Sequence, residues 1–219
     1  MTSATLLEQI GRKRSDKAQA ARQVIQDPRL LPEVFRGLEA DKAAVRFGCA
    51  GVLLAISESQ PRLLYPHWDR LAEMTDSPNS ILQWTAYRAL ANLAPVDSEG
   101  RMEGFLNRYF APVPGPAMIT AATVIAGGGR IAQAKPHLAD VIAAKILGVQ
   151  RARYKTAECR NVAIGHAIEA LEGFFGLLKK PRPVLQFVRR QLRNRRNAVR
   201  KKAAAFLKAN LRPRARTRL

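Results

Sequence analysis

The apolar positions of this chain follow two rhythms, a short one of three and four residues and a long one of about forty. Five segments show both: VRFGCAGVL from Val45, LQWTAYRAL from Leu82, MITAATVIA from Met118, CRNVAIGHA from Cys159 and VRKKAAAFL from Val199. Successive starts lie 36 to 41 residues apart. Within each segment the positions at 0, +4, +7 and +8 share a character, from Val45, Cys49, Val52 and Leu53 to Val199, Ala203, Phe206 and Leu207. That spacing puts the four on one face of a helix. The +4 site is always small (Cys49, Ala86, Ala122, Ala163, Ala203), which suits a close approach of two helices.

A second apolar-periodic segment precedes each of these helices, for example Leu31, Val34, Phe35 and Leu38, or Leu185, Val188 and Leu192. Prolines punctuate the joins, among them Pro28, Pro61, Pro95, Pro136 and Pro181. Proline fits the first turn of a helix and stops the one before it. The predicted unit is a hairpin of two helices, about 40 residues long, which is the period of helical solenoids. Nothing alternates like a half-buried strand. The glycines Gly127, Gly128 and Gly129 follow an apolar helix and are expected to end it.

The segments DKAAVRFGCAGVLLAI and NAVRKKAAAFLKANL resemble the second helices of HEAT repeats. That family's pattern places an acid, then Val-Arg, then a small residue and a leucine. Asp41, Val45, Arg46, Cys49 and Leu53 match it, as do Val199, Arg200, Ala203 and Leu207, although Arg195 stands where the acid would be. Gln83 and Ile119 replace the arginine in the second and third copies. The resemblance covers roughly residues 28–211. It implies an all-α fold, a right-handed α-α superhelix (solenoid) of about five HEAT-like hairpins, and second helices lining a concave surface. Residues 4–27 are expected to form a degenerate first hairpin that caps the stack, because terminal repeats meet water on one face. The expected organisation is one domain over residues 1–212 and a basic disordered tail over 213–219.

Charge sharpens this picture. The chain has 219 residues, 37 Lys and Arg, 17 Asp and Glu, and a formal charge of +20. Residues 173–219 hold 16 of the bases and no acid; the last acid is Glu172. Such asymmetry points to an anionic partner. Arg189, Arg193 and Arg196 fall at helical spacing and are expected to share a face opposite Leu185, Val188 and Leu192. With Arg200, Lys201 and Lys202 they form the candidate surface for nucleic acid or another polyanion, held through phosphates and weakened by salt. The competing reading is a solvated cap on the solenoid, although a cap has no need of a single sign. A second candidate row, Arg46, Phe47, Trp84, Arg88 and Arg160, combines charge with aromatic rings on the expected concave face and would suit nucleotides or a protein partner. Against it stands the packing of Phe47 and Trp84 on a neighbouring repeat.

The remaining chemistry is thin. Similarity in length, helicity and basicity to DNA alkylpurine glycosylases with HEAT-like repeats implies a cleft with tryptophans and an aspartate. Here Trp84 is followed one turn later by Arg88, and Asp69 points about 100° away from Trp68 on a helix. Cys159 and His166 are two turns apart on the apolar stripe, the spacing of core residues rather than of a proton-transfer pair. No metal-ligand spacing occurs, and nothing calls for a cofactor or a small-molecule substrate. No apolar run approaches the roughly 20 residues that span a bilayer. The segment MTSATLLEQIGRKRSDK has no apolar stretch of signal-peptide length, so the expected location is cytoplasmic. The sequence thus reads as a non-catalytic binding or scaffold protein with a basic C-terminal end. A pure protein-protein scaffold and a glycosylase-like enzyme are the alternatives.

Overall fold

A computed structural model describes residues 5–12 and 16–211. Among these residues every regular element is helical. The helices gather into two compact units, residues 1–102 and 103–219. The repeat spacing carries no mark of this division. The expected tail, 213–219, lies outside the described residues.

The first unit contains α1 (Leu6–Ile10), α2 (Lys17–Gln26), α3 (Leu31–Gly37), α4 (Ala43–Ser59), α5 (Pro61–Leu64), α6 (Trp68–Met74) and α7 (Ser80–Leu93). Side-chain oxygens start several of them: Thr5 and Glu8 form a reciprocal capping box, Asp16 accepts from the amides of Ala18 and Gln19, and Asn79 accepts from Ile81 and Leu82. Pro61 occupies the first turn of α5 and Pro32 that of α3. Helix α4 is the centre, in contact with α2 and α7 and flanked by α1, α3 and α5. Its Cys49, Val52, Leu53 and Ile56 are fully buried, as are Ala86, Ala89, Leu90 and Leu93 of α7. Burial, with a contribution from Glu33, pushes the Cys49 thiol up to about 11, so it behaves as a small apolar group.

Helix α8 (Arg101–Tyr109) begins at the end of the first unit. The buried Asp97 starts it by accepting from the amides of Arg101 and Met102 and from the Tyr65 hydroxyl at 2.7 Å. The second unit continues with α9 (Met118–Ala134), α10 (Ala139–Leu147), α11 (Ala157–Phe174), α12 (Arg182–Gln191) and α13 (Asn197–Asn210). Helix α11 contacts α9 and α13, while α10 packs on α9 and α11, and α12 on α13 and α10. Phe174, Phe187 and Phe206 fill the interior, the last stacked edge-on against Phe175.

The small +4 residues Cys49, Ala86, Ala163 and Ala203 are all buried. Val52, Leu90 and Ile125 are fully buried too, and Leu207 on the last helix is half-buried. Four local expectations are corrected. In α9 the register shifts by one: Ala121, Val124 and Ile125 are buried while Ala126 is exposed. The three glycines do not end α9 but lie inside it, all buried. A Cβ on Gly128 would stand 2.6 Å from the Phe110 ring, and one on Gly129 would stand 3.4 Å from the Ala170 carbonyl oxygen on α11. Close packing against Phe110, not helix termination, explains Gly128. In α12 the buried set is Val184, Phe187, Val188 and Gln191, whereas Leu192 follows the helix and is 43 % exposed. His166, expected on the stripe, is only half-buried and faces Glu169 at 3.7 Å.

Candidate functional site

The candidate basic residues fall into three groups by what they touch. Arg200, near the start of α13, donates from Nη1 to the carbonyl oxygens of Asn194 at 2.8 Å and Arg195 at 3.0 Å. Arg196 pairs with Glu158 in the first turn of α11, and Lys202 pairs with Glu169 at 2.6 Å. Arg189, Arg193 and Lys201 are exposed and have no ion pair among the described residues.

The shared helical face expected for Arg189, Arg193 and Arg196 is not what forms. Helix α12 stops at Gln191, so Arg189 sits in its last turn, Arg193 lies in the connecting turn, and Arg196 is the N-cap residue of α13. That turn is organised by Asn194, whose amide donates to Gln191 Oε1 at 2.9 Å and to Asn161 Oδ1 on α11 at 3.2 Å. Its own Oδ1 accepts from the Arg196 amide. Gln191 is buried, which fixes the other end of the bond.

Arg200 is one of a set. Arg46 on α4 donates to the Ala40 carbonyl at 3.1 Å, and Gln83 on α7 donates to the Thr75 carbonyl at 2.9 Å. All three stand one residue after the start of the repeated pattern, and each reaches back to the turn before its helix. Carbonyls at the end of one helix and in the following turn need such donors. The guanidinium of Arg46 also lies 5.3 Å from the Phe47 ring, and its buried Nε has no hydrogen-bond partner.

The second candidate row divides between the units. In the first, Phe47 and Trp84 are half-buried, and Arg88 is exposed and pairs with Glu58 at 3.4 Å, tying α7 to α4. Trp68 is buried in the core, and its neighbour Asp69 faces Arg101 at 3.5 Å. In the second unit, Arg160 is exposed near the start of α11. Comparison with protein-family models, with curated proteins and with solved structures found no match. The chemistry must therefore be read from these residues alone.

The acids of the second unit matter as much as its bases. Residues 1–102 hold 13 Lys and Arg against 12 Asp and Glu, whereas residues 103–219 hold 24 against 5. Four of those five acids are already engaged. Glu103 accepts both from buried Lys135, at 2.9 and 3.1 Å, and from His137. Burial alone would raise its pKa, but these hydrogen bonds outweigh that and hold it below the usual glutamate value. Asp140 accepts from the Lys180 amide. Glu158 and Glu169 neutralise Arg196 and Lys202.

Several exposed cations were not singled out by the sequence: Arg151, Arg153 and Lys155 in the turn before α11, and Arg190 and Arg195 around the turn before α13. Their positions between two apolar helices were the available signal. Among the described residues no group of three or more His, Cys, Asp or Glu side chains could hold a metal ion, and no helix is long and apolar enough to cross a membrane.

Proposed function

We propose that this chain is a HEAT-like α-solenoid of helical hairpins that works without catalysis, binding a polyanion, and specifically nucleic acid, through the basic surface of its second unit. The observation that carries the reading is the imbalance of residues 103–219, with 24 bases and 5 acids, together with the fate of those acids. Three of them, Glu103, Glu158 and Glu169, are paired with cations inside the fold, and Asp140 is hydrogen-bonded to a backbone amide, so little negative charge is left to offset the remaining cations. Clustered like charges repel one another and attract anions over roughly a Debye length. Phosphate esters answer both conditions, because arginine forks bind them bidentately and each contact releases condensed counterions.

Titration of the full chain with fluorescently labelled duplex and single-stranded nucleic acid, at two salt concentrations, tests this. Affinity should fall steeply with salt, by about 0.9 in log K per log salt for each phosphate contacted on a duplex. Absence of binding at low salt, or binding indifferent to salt, would contradict it and leave a protein-protein scaffold as the better account. Release of a free base from a methylated duplex would contradict the non-catalytic part.

A further inference from the structure

The geometry points to one edge of the second unit, formed by the turns before α11 and α13, as a docking surface for the phosphate backbone of a nucleic-acid duplex, read without regard to base sequence. This rests on the polyanion reading above and adds where and in what form the polyanion binds.

The two turns are neighbours. Arg196, the N-cap of α13, pairs with Glu158 in the first turn of α11, and Asn194 reaches Asn161 across the same gap. Together with the start of α11 they display Arg151, Arg153, Lys155, Arg160, Arg193 and Arg195, all exposed and none ion-paired among the described residues. Glu158, the acid that stands between these turns, is taken by Arg196.

Both turns are pinned by their backbones. The Arg153 amide donates to the Pro114 carbonyl at 2.8 Å, and the Tyr154 hydroxyl donates to the Val113 carbonyl at 2.6 Å. Gly115, at φ 111°, lets the preceding loop press onto this turn: a Cβ there would stand 2.5 Å from the Arg153 carbonyl oxygen. The second turn is pinned by Arg200 on the carbonyls of Asn194 and Arg195. Cations on fixed backbones lose less freedom on binding than cations on mobile ones, which favours a ligand of regular phosphate spacing.

What the edge lacks decides the form of the ligand. Proteins that hold single strands without base preference stack the bases on aromatic side chains. The second unit has no tryptophan, and none of its Phe and Tyr residues is exposed. Tyr109 and Phe110 pack edge-to-face, as do Phe175 and Phe206, and the Tyr154 hydroxyl is committed to Val113. A surface of forked cations with no ring to stack on contacts backbone, and backbone contacts position a protein without reading sequence.

The test uses the full chain and two triple variants of equal charge change. Arg153→Glu with Arg193→Glu and Arg195→Glu strikes the edge. Lys179→Glu with Lys180→Glu and Arg182→Glu strikes the far end of α12, about 15 Å along a ten-residue helix. Affinity and salt dependence are measured for duplex and single strand of matched phosphate number, as DNA and as RNA, and thermal midpoints establish that both variants fold. The edge variant should lower duplex affinity on the order of 100-fold at low salt and reduce the salt slope by about 3. The far-end variant should lower it by less than about tenfold, through general electrostatics alone. If the edge variant fails to fold, the same three positions changed to glutamine carry the test. Tight binding of either the DNA or the RNA duplex supports the proposal and identifies the source of the backbone. Equal losses in the two variants, a single strand bound more tightly than a duplex, or dependence on base composition would overturn it while leaving the polyanion reading standing. No binding by the unaltered chain would overturn both.

Discussion

The two units share a local construction and differ in charge. In the first, Arg46 and Gln83 close the turns before α4 and α7 by donating to Ala40 and Thr75; in the second, Arg200 closes the turn before α13 by donating to Asn194 and Arg195. Both bury small residues at the same helical offset and fill their interiors with aliphatic and phenyl groups. Yet the first carries nearly equal numbers of acids and bases, and the second almost five bases for every acid. A balanced unit meets the same structural needs, so folding does not require the excess. Surface charge has little influence on fold and much on association. The excess is therefore where function is to be sought.

That comparison can be broken most forcefully in the cores. Phe206→Ala in the second unit and Phe35→Ala in the first each remove a phenyl ring that is 2 % exposed or less. Each should cost about 3–5 kcal/mol, read as a shift in urea midpoint at unchanged slope. A much smaller cost for one would mean that the two interiors are not equivalent. Next come the turn-closing donors. Arg200→Ala and Arg46→Ala should each cost about 1–2 kcal/mol by stranding carbonyls. Arg→Gln at either site should cost less, because Gln83 already performs this task with an amide.

Acid should separate the units more gently. Glu103 has a folded pKa below its ordinary value of 4.5, so its contribution is present above that pH and is lost as pH falls through the lower, folded value. Glu103→Gln should flatten the acid limb of a stability-against-pH curve; an unchanged limb would show that the Lys135 and His137 contacts do not persist in solution. The smallest effect concerns the paired acids. Glu169→Gln frees Lys202 and should raise polyanion affinity a few-fold, whereas Glu58→Gln, which frees Arg88 in the first unit, should leave it unchanged. Neither should change stability by more than about 1 kcal/mol, as befits exposed pairs.

How far the sequence could be read follows from the range of the forces involved. The helical character and four of the five small +4 sites were legible because periodicity and residue size are local properties. The glycines of α9 look like a helix end in sequence, whereas they lie inside the helix, and the need for Gly128 depends on Phe110, which only packing brings near. In α12 the expected stripe of Leu185, Val188 and Leu192 holds only at Val188: the helix ends before Leu192 and buries Val184, Phe187 and Gln191 beside Val188. The arginine grouping failed for the same reason, since the break at Gln191 sends Arg189, Arg193 and Arg196 to three different settings. Arg46 and Arg200 scan in sequence as surface cations, although their recurrence with Gln83 at one offset is the sign of a structural donor. The imbalance of charge was legible at once, but the engagement of the acids was not, because the cations and the amide that hold them, Lys135, His137, Lys180, Arg196 and Lys202, all lie 30 or more residues away in sequence.

The most direct measurement is hydrogen exchange of the full chain with and without a nucleic-acid duplex at low salt. Slowed exchange confined to residues 148–161 and 192–202, with α4 and α7 unaffected, is the predicted result. Protection centred on α4 and α7 around Phe47 and Trp84, with those two turns unchanged, would contradict it and move the binding surface to the first unit.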